Sequence, residues 1–192
     1  PGQEKFKGTM FHSGKWNHEH DLTGVKVAVI GSGASAIQFL PAIQPKVGHL
    51  YSFQRTPSWV LPKPDFAVPN IVKVTFKKAP ILEKIIRESA LWSLEPSLPI
   101  FMNENIMRKL HALGKLNIFL GVKDPEMRKA LTPTHTLGCK RPMFSNNWYT
   151  ALAKPNVTVL FQGLSHITEN GVVGEDGKEI KVDTIIFGTG YA

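Results

Sequence analysis

The chain has 192 residues, of which 42% are hydrophobic and 20% charged, a composition ordinary for one globular domain with its own core. The formal net charge is +8, but the basic residues are scattered along the chain, which favours a phosphate-bearing ligand over nucleic acid. No apolar run approaches the roughly 18 residues of a membrane span, and the N-terminus lacks a signal core. A single cysteine, Cys139, excludes intrachain disulfides, so we expect a cytoplasmic protein. The scattered charge and the short apolar runs together predict no nucleic-acid or membrane partner.

The first half of the pattern predicts a βαβ unit. Residues 1–24 form a polar lead-in without clear periodicity, and the β-branched run VKVAVI at 25–30 predicts a buried parallel strand. Residues 34–44 predict a helix that opens directly from a glycine pair, and Pro41 should bend or end it. Residues 49–54 predict a second strand, so the two strands should be parallel with a right-handed crossover.

The second half predicts an insertion followed by a return to the sheet. The Pro-rich residues 57–69 suit an exit from the sheet, and apolar residues then recur at helical spacing from Val68 to Lys129. Strand character returns at 156–163 and in the last strand, 183–188. Between them, the turn signals Asn170-Gly171 and Asp176-Gly177 predict a hairpin.

These elements predict an α/β fold of three layers. We expect a Rossmann-like dinucleotide-binding domain with a parallel sheet and a β-hairpin or meander, made of residues 1–66 and 140–192. Residues 67–139 would form a helical insertion subdomain.

A glycine loop joins the first predicted strand to the first predicted helix. It reads G-x-G-x-x-A, in which the first glycine permits a tight turn and the second lets the backbone approach a pyrophosphate. Free N–H groups at the helix N-terminus would bind the phosphates. An ordinary strand-to-helix turn without a ligand is the alternative. The predicted pyrophosphate-binding residues are Gly31, Ser32, Gly33, Ala34, Ser35 and Ala36.

The end of the second predicted strand indicates which dinucleotide binds. NAD-binding units usually place an acidic residue there, whereas this chain has Gln54, Arg55 and Thr56. A guanidinium can pair with a 2′-phosphate that a carboxylate would repel, so NADPH is favoured over NADH. The alternative is that Arg55 is a solvated surface charge.

Three further segments share one resemblance. Residues 6–16, FKGTMFHSGKW, match F-x-G-x-x-x-H-x-x-x-W; residues 138–142 read GCKRP; and residues 183–191 read DTIIFGTGY. Together with the glycine loop, and in this order, they resemble the Baeyer–Villiger branch of the class B flavin-dependent monooxygenases. Trp16 favours that branch over the N- and S-oxygenating branch.

The resemblance implies roles for individual residues. Lys140 would join Arg55 and Thr56 at the 2′-phosphate, and Arg141 would be the catalytic arginine that reaches the flavin and the nicotinamide. His12 would have a structural, cofactor-linking role, while Thr189 and Gly190 belong to the segment that returns the chain to the flavin domain.

The resemblance also implies a division of the enzyme into two nucleotide-binding parts. The family's FAD-binding glycine loop does not occur in this sequence, so FAD would be bound mainly by a segment absent from this chain. The expected partners are a ketone substrate, O2 and the missing FAD-binding domain. We expect the 192-residue chain alone to be inactive.

The sequence leaves two other functions open and contains one further group of possible metal ligands. An N- or S-oxygenating flavin monooxygenase and a non-catalytic NADP-binding module both stay open as alternatives. Two histidines, His18 and His20, lie two positions apart in the polar run His18-Glu19-His20-Asp21. No third ligand at a useful spacing accompanies them, so no metal site is predicted.

Overall fold

A five-stranded parallel sheet forms the centre of the molecule. The computed structural model describes residues 1–63, 65, 67–94, 103–138, 140 and 142–190. The strand order is β1-β10-β2-β3-β6, and every neighbouring pair is parallel. The strands are β1 (Thr9–His12), β2 (Lys26–Ile30), β3 (His49–Phe53), β6 (Val157–Leu160) and β10 (Thr184–Phe187). This order confirms the predicted α/β fold with a parallel sheet.

Strand β2 shows why the fold has three layers. Its side chains are almost fully enclosed because successive residues point to opposite faces and both faces are covered. Val27 and Val29 pack with helix α1 (Ala36–Ile43) and helix α6 (Trp148–Leu152) on one face. Ala28 and Ile30 pack against Ile167 and Val172 of a second, smaller sheet on the other face.

That smaller sheet is an antiparallel meander. It consists of β7 (Leu164–Ile167), β8 (Gly171–Gly174) and β9 (Glu179–Lys181), paired in that order. The predicted turns connect these strands, and Gly177 adopts the positive φ of +75° that a glycine supplies there. The predicted hairpin is therefore confirmed and extends by one strand.

Helix α1 does not end at Pro41, which was one of the two predicted effects of that residue. The helix continues past the proline to Ile43, and the Gln44 amide still donates to the Leu40 carbonyl. Pro41 cannot donate to the carbonyl four residues earlier, which removes one helical hydrogen bond. Leu40 and Ile43 are both buried against the sheet, so packing on either side of the proline keeps the helix continuous.

The N-terminal lead-in contains a strand that the sequence pattern did not predict. Strand β1 lies between two short 3₁₀ helices, Gln3–Lys5 and Ser13–Lys15, and pairs with β10. All four of its residues are half-buried, because it is an edge strand, so the alternation that signals a strand is missing. Trp16 then fixes the lead-in, with ring centroids 5.1 Å from Phe11 and 5.2 Å from Phe39 of α1.

The central part of the chain is helical, as predicted. Its helices are α2 (Asn70–Lys78), α3 (Pro80–Leu94), α4 (Glu104–Gly121) and α5 (Pro125–Leu131). They lie between β4 (Val60–Leu61) and β5 (Met143–Phe144), which pair with each other in parallel. Ile118 of α4 and Leu131 of α5 are buried in the main core, so the C-terminal half of this region is packed on the sheet domain. The proposed boundary at residues 67–139 stays a prediction.

Helix α6 follows the central helical part of the chain and was not predicted. Its five residues, of which Trp148 and Leu152 are buried, are too few for a helical period to be recognised. Among the helices of the described residues, none combines the length and the apolarity needed to cross a membrane.

Replacing Trp16 with alanine tests the packing of the lead-in. We expect Trp16→Ala to lower the free energy of unfolding by about 2 kcal/mol, because two aromatic contacts and a half-buried indole are lost. Urea unfolding followed by circular dichroism measures this change. The control is Trp92→Ala, whose side chain is 71% exposed and whose loss should change the free energy by less than about 0.5 kcal/mol. Equal effects of the two substitutions would contradict the role given to Trp16.

Candidate functional site

The carboxyl ends of the five parallel strands lie at one edge of the sheet. Strand β2 lies between β3 and β10, so the chain runs from β2 towards one side of the sheet and returns on the other. Ligands of open α/β sheets bind in the crevice at such a reversal of strand order. The glycine loop follows β2, Arg55 and Thr56 follow β3, and Thr189 and Gly190 follow β10.

Gly31 forms the tight turn at the end of β2. Its φ is +110°, a region that residues with a Cβ rarely adopt, and its amide donates to the Phe53 carbonyl at 3.0 Å. A Cβ on Gly31 would lie 2.8 Å from the carbonyl oxygen of Gly188. The Gly188 amide in turn donates to the Ile30 carbonyl at 2.8 Å, so the backbones of the two glycines lie side by side in close contact.

The residues after Gly31 form the first turn of α1. The Gly33 carbonyl accepts from the Ile37 amide at 3.1 Å, and the Ser32 hydroxyl donates to the Thr56 carbonyl at 3.2 Å. Within the described part of the chain, no acceptor is found for the backbone N–H groups of Ser32, Gly33, Ala34 and Ser35. Unpaired amides at a helix N-terminus suit the phosphates of a nucleotide.

Arg55 is solvent-exposed and lies just after the end of β3. The preceding residue, Gln54, is only 1% exposed; its amide donates to the Leu160 carbonyl at 2.8 Å and its side chain donates to Ser52. This buried anchor fixes the point where the chain leaves the sheet, and the exposed Arg55 follows it directly. Among the described carboxylates, none forms an ion pair with Arg55.

The segment before Lys140 is fixed to helix α4. The Trp59 indole donates to the His135 carbonyl at 2.8 Å, and His111 of α4 accepts from the Leu137 amide at 2.7 Å. The Trp59 and His111 rings stack with centroids 4.9 Å apart, and Leu137 is buried beside them. We call residues 132–138 the strap. Lys140, which is exposed, lies two residues beyond the strap, and Arg141 lies outside the described residues.

His135 of the strap stays neutral near pH 7. Desolvation lowers the pKa of its ring most, and the positive charges of Lys140 and then His111 lower this pKa further. Its Nδ1 atom is buried and finds no hydrogen-bond partner among the described residues. A protonated ring at this position would add a second positive charge beside Lys140, so the neutral form leaves Lys140 as the cation there.

A cleft is lined by the end of the glycine loop and by residues 142–147. The cleft has a volume of about 850 Å³, and both Ala34 of the loop and Pro142, the neighbour of Arg141, line it. Gln38, Lys63 and Asn146 supply polar groups to its walls. The two motifs, more than 100 residues apart in sequence, therefore face one volume.

His12 connects the lead-in to the return segment. The Gly14 amide donates to Nδ1 of His12 at 3.1 Å, so in the neutral ring Nε2 carries the proton. Nε2 lies 2.9 Å from the carbonyl oxygen of Gly190 and donates to it. This pair of bonds supports a structural role for His12.

The structure brings together most of the predicted residues, but not all. The glycine loop, Thr56, His12 and Gly190 are joined through direct contacts or through Gly188, whereas no hydrogen bond between Arg55 and Lys140 is found among the described residues. Gly188 was not predicted as a site residue. Its position directly after an apolar strand, in FGTG, is the sequence signal that could have identified it.

This strand order, with a glycine-rich turn between β2 and α1, defines a dinucleotide-binding fold. The whole chain, residues 1–192, matches the model of the FMO-like family, flavin-binding monooxygenase-like. The chain therefore belongs to the flavin-binding monooxygenase-like family.

Individual relatives are similar over the entire chain. The chain is 46% identical to a Baeyer-Villiger monooxygenase of Pseudomonas aeruginosa and 43% identical to one of Streptomyces coelicolor. The two alignments include 99% and 100% of this chain but only 36% and 37% of the relatives, so the chain spans little more than a third of their length. These matches confirm the resemblance read from the motifs.

Solved structures show the same fold. Cyclohexanone monooxygenase from Rhodococcus sp. Phi1, solved with bound NADP+, superposes with a TM-score of 0.81 at 25% sequence identity. The match covers 100% of this chain and 43% of that structure.

The contact between Gly31 and Gly188 is tested with a pair of alanine substitutions. We expect Gly31→Ala to lower the free energy of unfolding by about 2–3 kcal/mol, because the new Cβ combines a strained φ with a backbone collision. Gly33→Ala is the matched control, since its Cβ would meet only the Gly188 oxygen at 3.7 Å. The control should change stability by less than about 1 kcal/mol in denaturant unfolding. A stable Gly31→Ala variant would show that this contact is dispensable.

Proposed function

We propose that this chain is the NADPH-binding portion of an FAD-dependent Baeyer–Villiger monooxygenase. In its full-length form the enzyme would oxidise ketones to esters or lactones with O2. The observation that carries the proposal is the glycine cradle at the carboxyl end of β2, with unpaired backbone amides on one side and the exposed Arg55 nearby.

The cradle and the basic residues would divide the dinucleotide between them. The pyrophosphate would lie on the amides of residues 31–36, and Arg55, Thr56 and Lys140 would bind the 2′-phosphate. The hydroxyl-to-carbonyl bond between Ser32 and Thr56 supports this division, because it holds the two regions side by side. NADPH, when bound, supplies the hydride that reduces the flavin.

The remaining residues would connect this chain to the flavin. Arg141 would be the catalytic arginine, and the cleft shared by Ala34 and Pro142 supports a position facing the nucleotide. A fixed cation there would stabilise negative charge that develops during oxygen transfer. His12, Thr189 and Gly190 would join the NADPH-binding domain, residues 1–66 and 140–192, to the FAD-binding domain. The chain alone would lack turnover, since FAD is bound mainly elsewhere.

Substitution of Arg55 tests the cofactor assignment. We expect Arg55→Ala to weaken NADP+ binding roughly ten- to hundredfold, because a charge-assisted hydrogen bond to the 2′-phosphate is worth about 1.5–3 kcal/mol. NAD+ binding should be unchanged, so the preference between the two nucleotides largely disappears. Isothermal titration of the 192-residue chain with each nucleotide gives both values. Arg87→Ala, which removes an exposed arginine of α3, is the control and should leave both affinities unaltered.

The oxygenation reaction is tested in the full-length enzyme. We expect NADPH- and O2-dependent conversion of a ketone to an ester, and at least a hundredfold loss of that product in Arg141→Ala, because the fixed positive charge is gone. NADP+ affinity of the variant should stay within a fewfold of the parent's. Oxidation of amines or sulfides without any ester from ketones would assign the protein to the N- and S-oxygenating branch instead. A parent enzyme that consumes no NADPH would make it a non-catalytic binding module.

A further inference from the structure

The meander places an acidic side chain beside Arg55. The tip of the β8–β9 hairpin, residues 175–178, lies next to Gly163, which precedes β7. A Cβ on Gly163 would lie 2.5 Å from Oε1 of Glu175 and 3.7 Å from Cδ of Arg55. The Glu175 carboxylate and the Arg55 side chain therefore approach to within about 6 Å of each other, and both lie beside Gly163.

Hydrogen bonds hold this hairpin tip in place. The Asp176 amide donates to Oε1 of Gln162 at 2.9 Å, which ties the tip to the segment between β6 and β7. Within the tip, the Gly177 amide donates to the Gly174 carbonyl at 3.1 Å, and the Lys178 amide donates to the Asp176 carboxylate at 3.2 Å. The approach of Glu175 to Arg55 is thus fixed by the backbone of the meander.

The two charges are close without neutralising each other. Arg55 and Glu175 are both exposed, and they form no direct ion pair in the structure. Arg55 therefore keeps its hydrogen-bond donors available for an incoming phosphate. A phosphate bound by Arg55 would also be repelled by the Glu175 carboxylate, because exposed charges separated by less than about one Debye length, ~8 Å at physiological salt, still interact.

We propose that Glu175 is a specificity-determining residue that limits the affinity of the site for the 2′-phosphate. The carboxylate repels the phosphate that Arg55 attracts, so it narrows the preference for NADPH over NADH and eases release of NADP+. The pyrophosphate, bound on the amides of the glycine loop, is common to both nucleotides and does not discriminate between them. This inference rests on the proposed function, since it requires the 2′-phosphate to lie at Arg55.

Neutralising and reversing the charge of Glu175 test the proposal. We expect Glu175→Gln to tighten NADP+ binding about three- to fivefold in low-salt buffer, and Glu175→Lys to tighten it further. Both gains should shrink towards parity when the ionic strength is raised to about 1 M, where the Debye length is about 3 Å. NAD+ affinity should stay constant throughout. Isothermal titration of the 192-residue chain with NADP+ and NAD+ measures these changes.

A matched control separates this effect from a change in overall charge. Glu169→Gln removes the same charge from the same meander, but at its opposite end, where Glu169 pairs with Lys7. We expect no change in nucleotide preference for this variant. A gain in NADP+ affinity as large as that of Glu175→Gln would overturn the proposal, because it would show a response to net charge alone.

The result for Arg55→Ala distinguishes failure of this inference from failure of the proposed function. If Arg55→Ala removes the nucleotide preference while Glu175→Gln and Glu175→Lys leave it unchanged, the role of Glu175 is refuted and the cofactor assignment stands. If Arg55→Ala leaves the preference intact, the 2′-phosphate binds elsewhere and both proposals fail.

Discussion

The close contact between two glycine backbones is the constraint on which the candidate site depends. Gly31 and Gly188 follow adjacent parallel strands, and each has its amide bound to a neighbouring strand end, so neither backbone can withdraw. Their contact lets helix α1 begin directly at the sheet edge, where Gly188 also passes close to Ala36. Bulkier residues there would push the helix outwards and carry the unpaired amides of its first turn away from the crevice. A ligand would then lose contact with either the amides or the residues that follow β3.

The remaining parts of the site are positioned by the layers on either side of the sheet. The helical layer holds the strap, through the contacts of His135 and Leu137 with Trp59 and α4, and so determines where Lys140 lies. The meander layer holds Glu175 near the end of β3. The position of Lys140 therefore depends on the helical layer and that of Glu175 on the meander, and each layer has its own cluster of buried residues.

The βαβ unit and its glycine loop could be predicted from sequence because local pattern and tertiary role agree there. Val27, Val29 and Ile30 are β-branched and buried, and Gly31 follows them directly. Arg55 could be identified by counting to the end of the next strand. Strand β1 could not, since its four half-buried residues gain strand geometry only by pairing with β10. Glu175 was missed for a related reason, since its proximity to Arg55 joins segments distant in sequence and no local periodicity records such a contact. Gly188 did carry a sequence signal, the FGTG run directly after an apolar strand, but its contact with Gly31 is visible only in the fold.

The pairing of β1 with β10 has a consequence for the order in which the fold can form. Thr9 of β1 and its partner in the sheet, Thr184 of β10, are 175 positions apart, so β10 is synthesised only after nearly all the residues between them. During synthesis the N-terminal segment must therefore wait, with Phe11 and Trp16 uncovered on one side, until almost all of these residues have emerged. Contacts of such long sequence separation form slowly. The hydrogen bond from His12 to Gly190 then joins the segments that follow β1 and β10, so its formation would report that these two strands have paired.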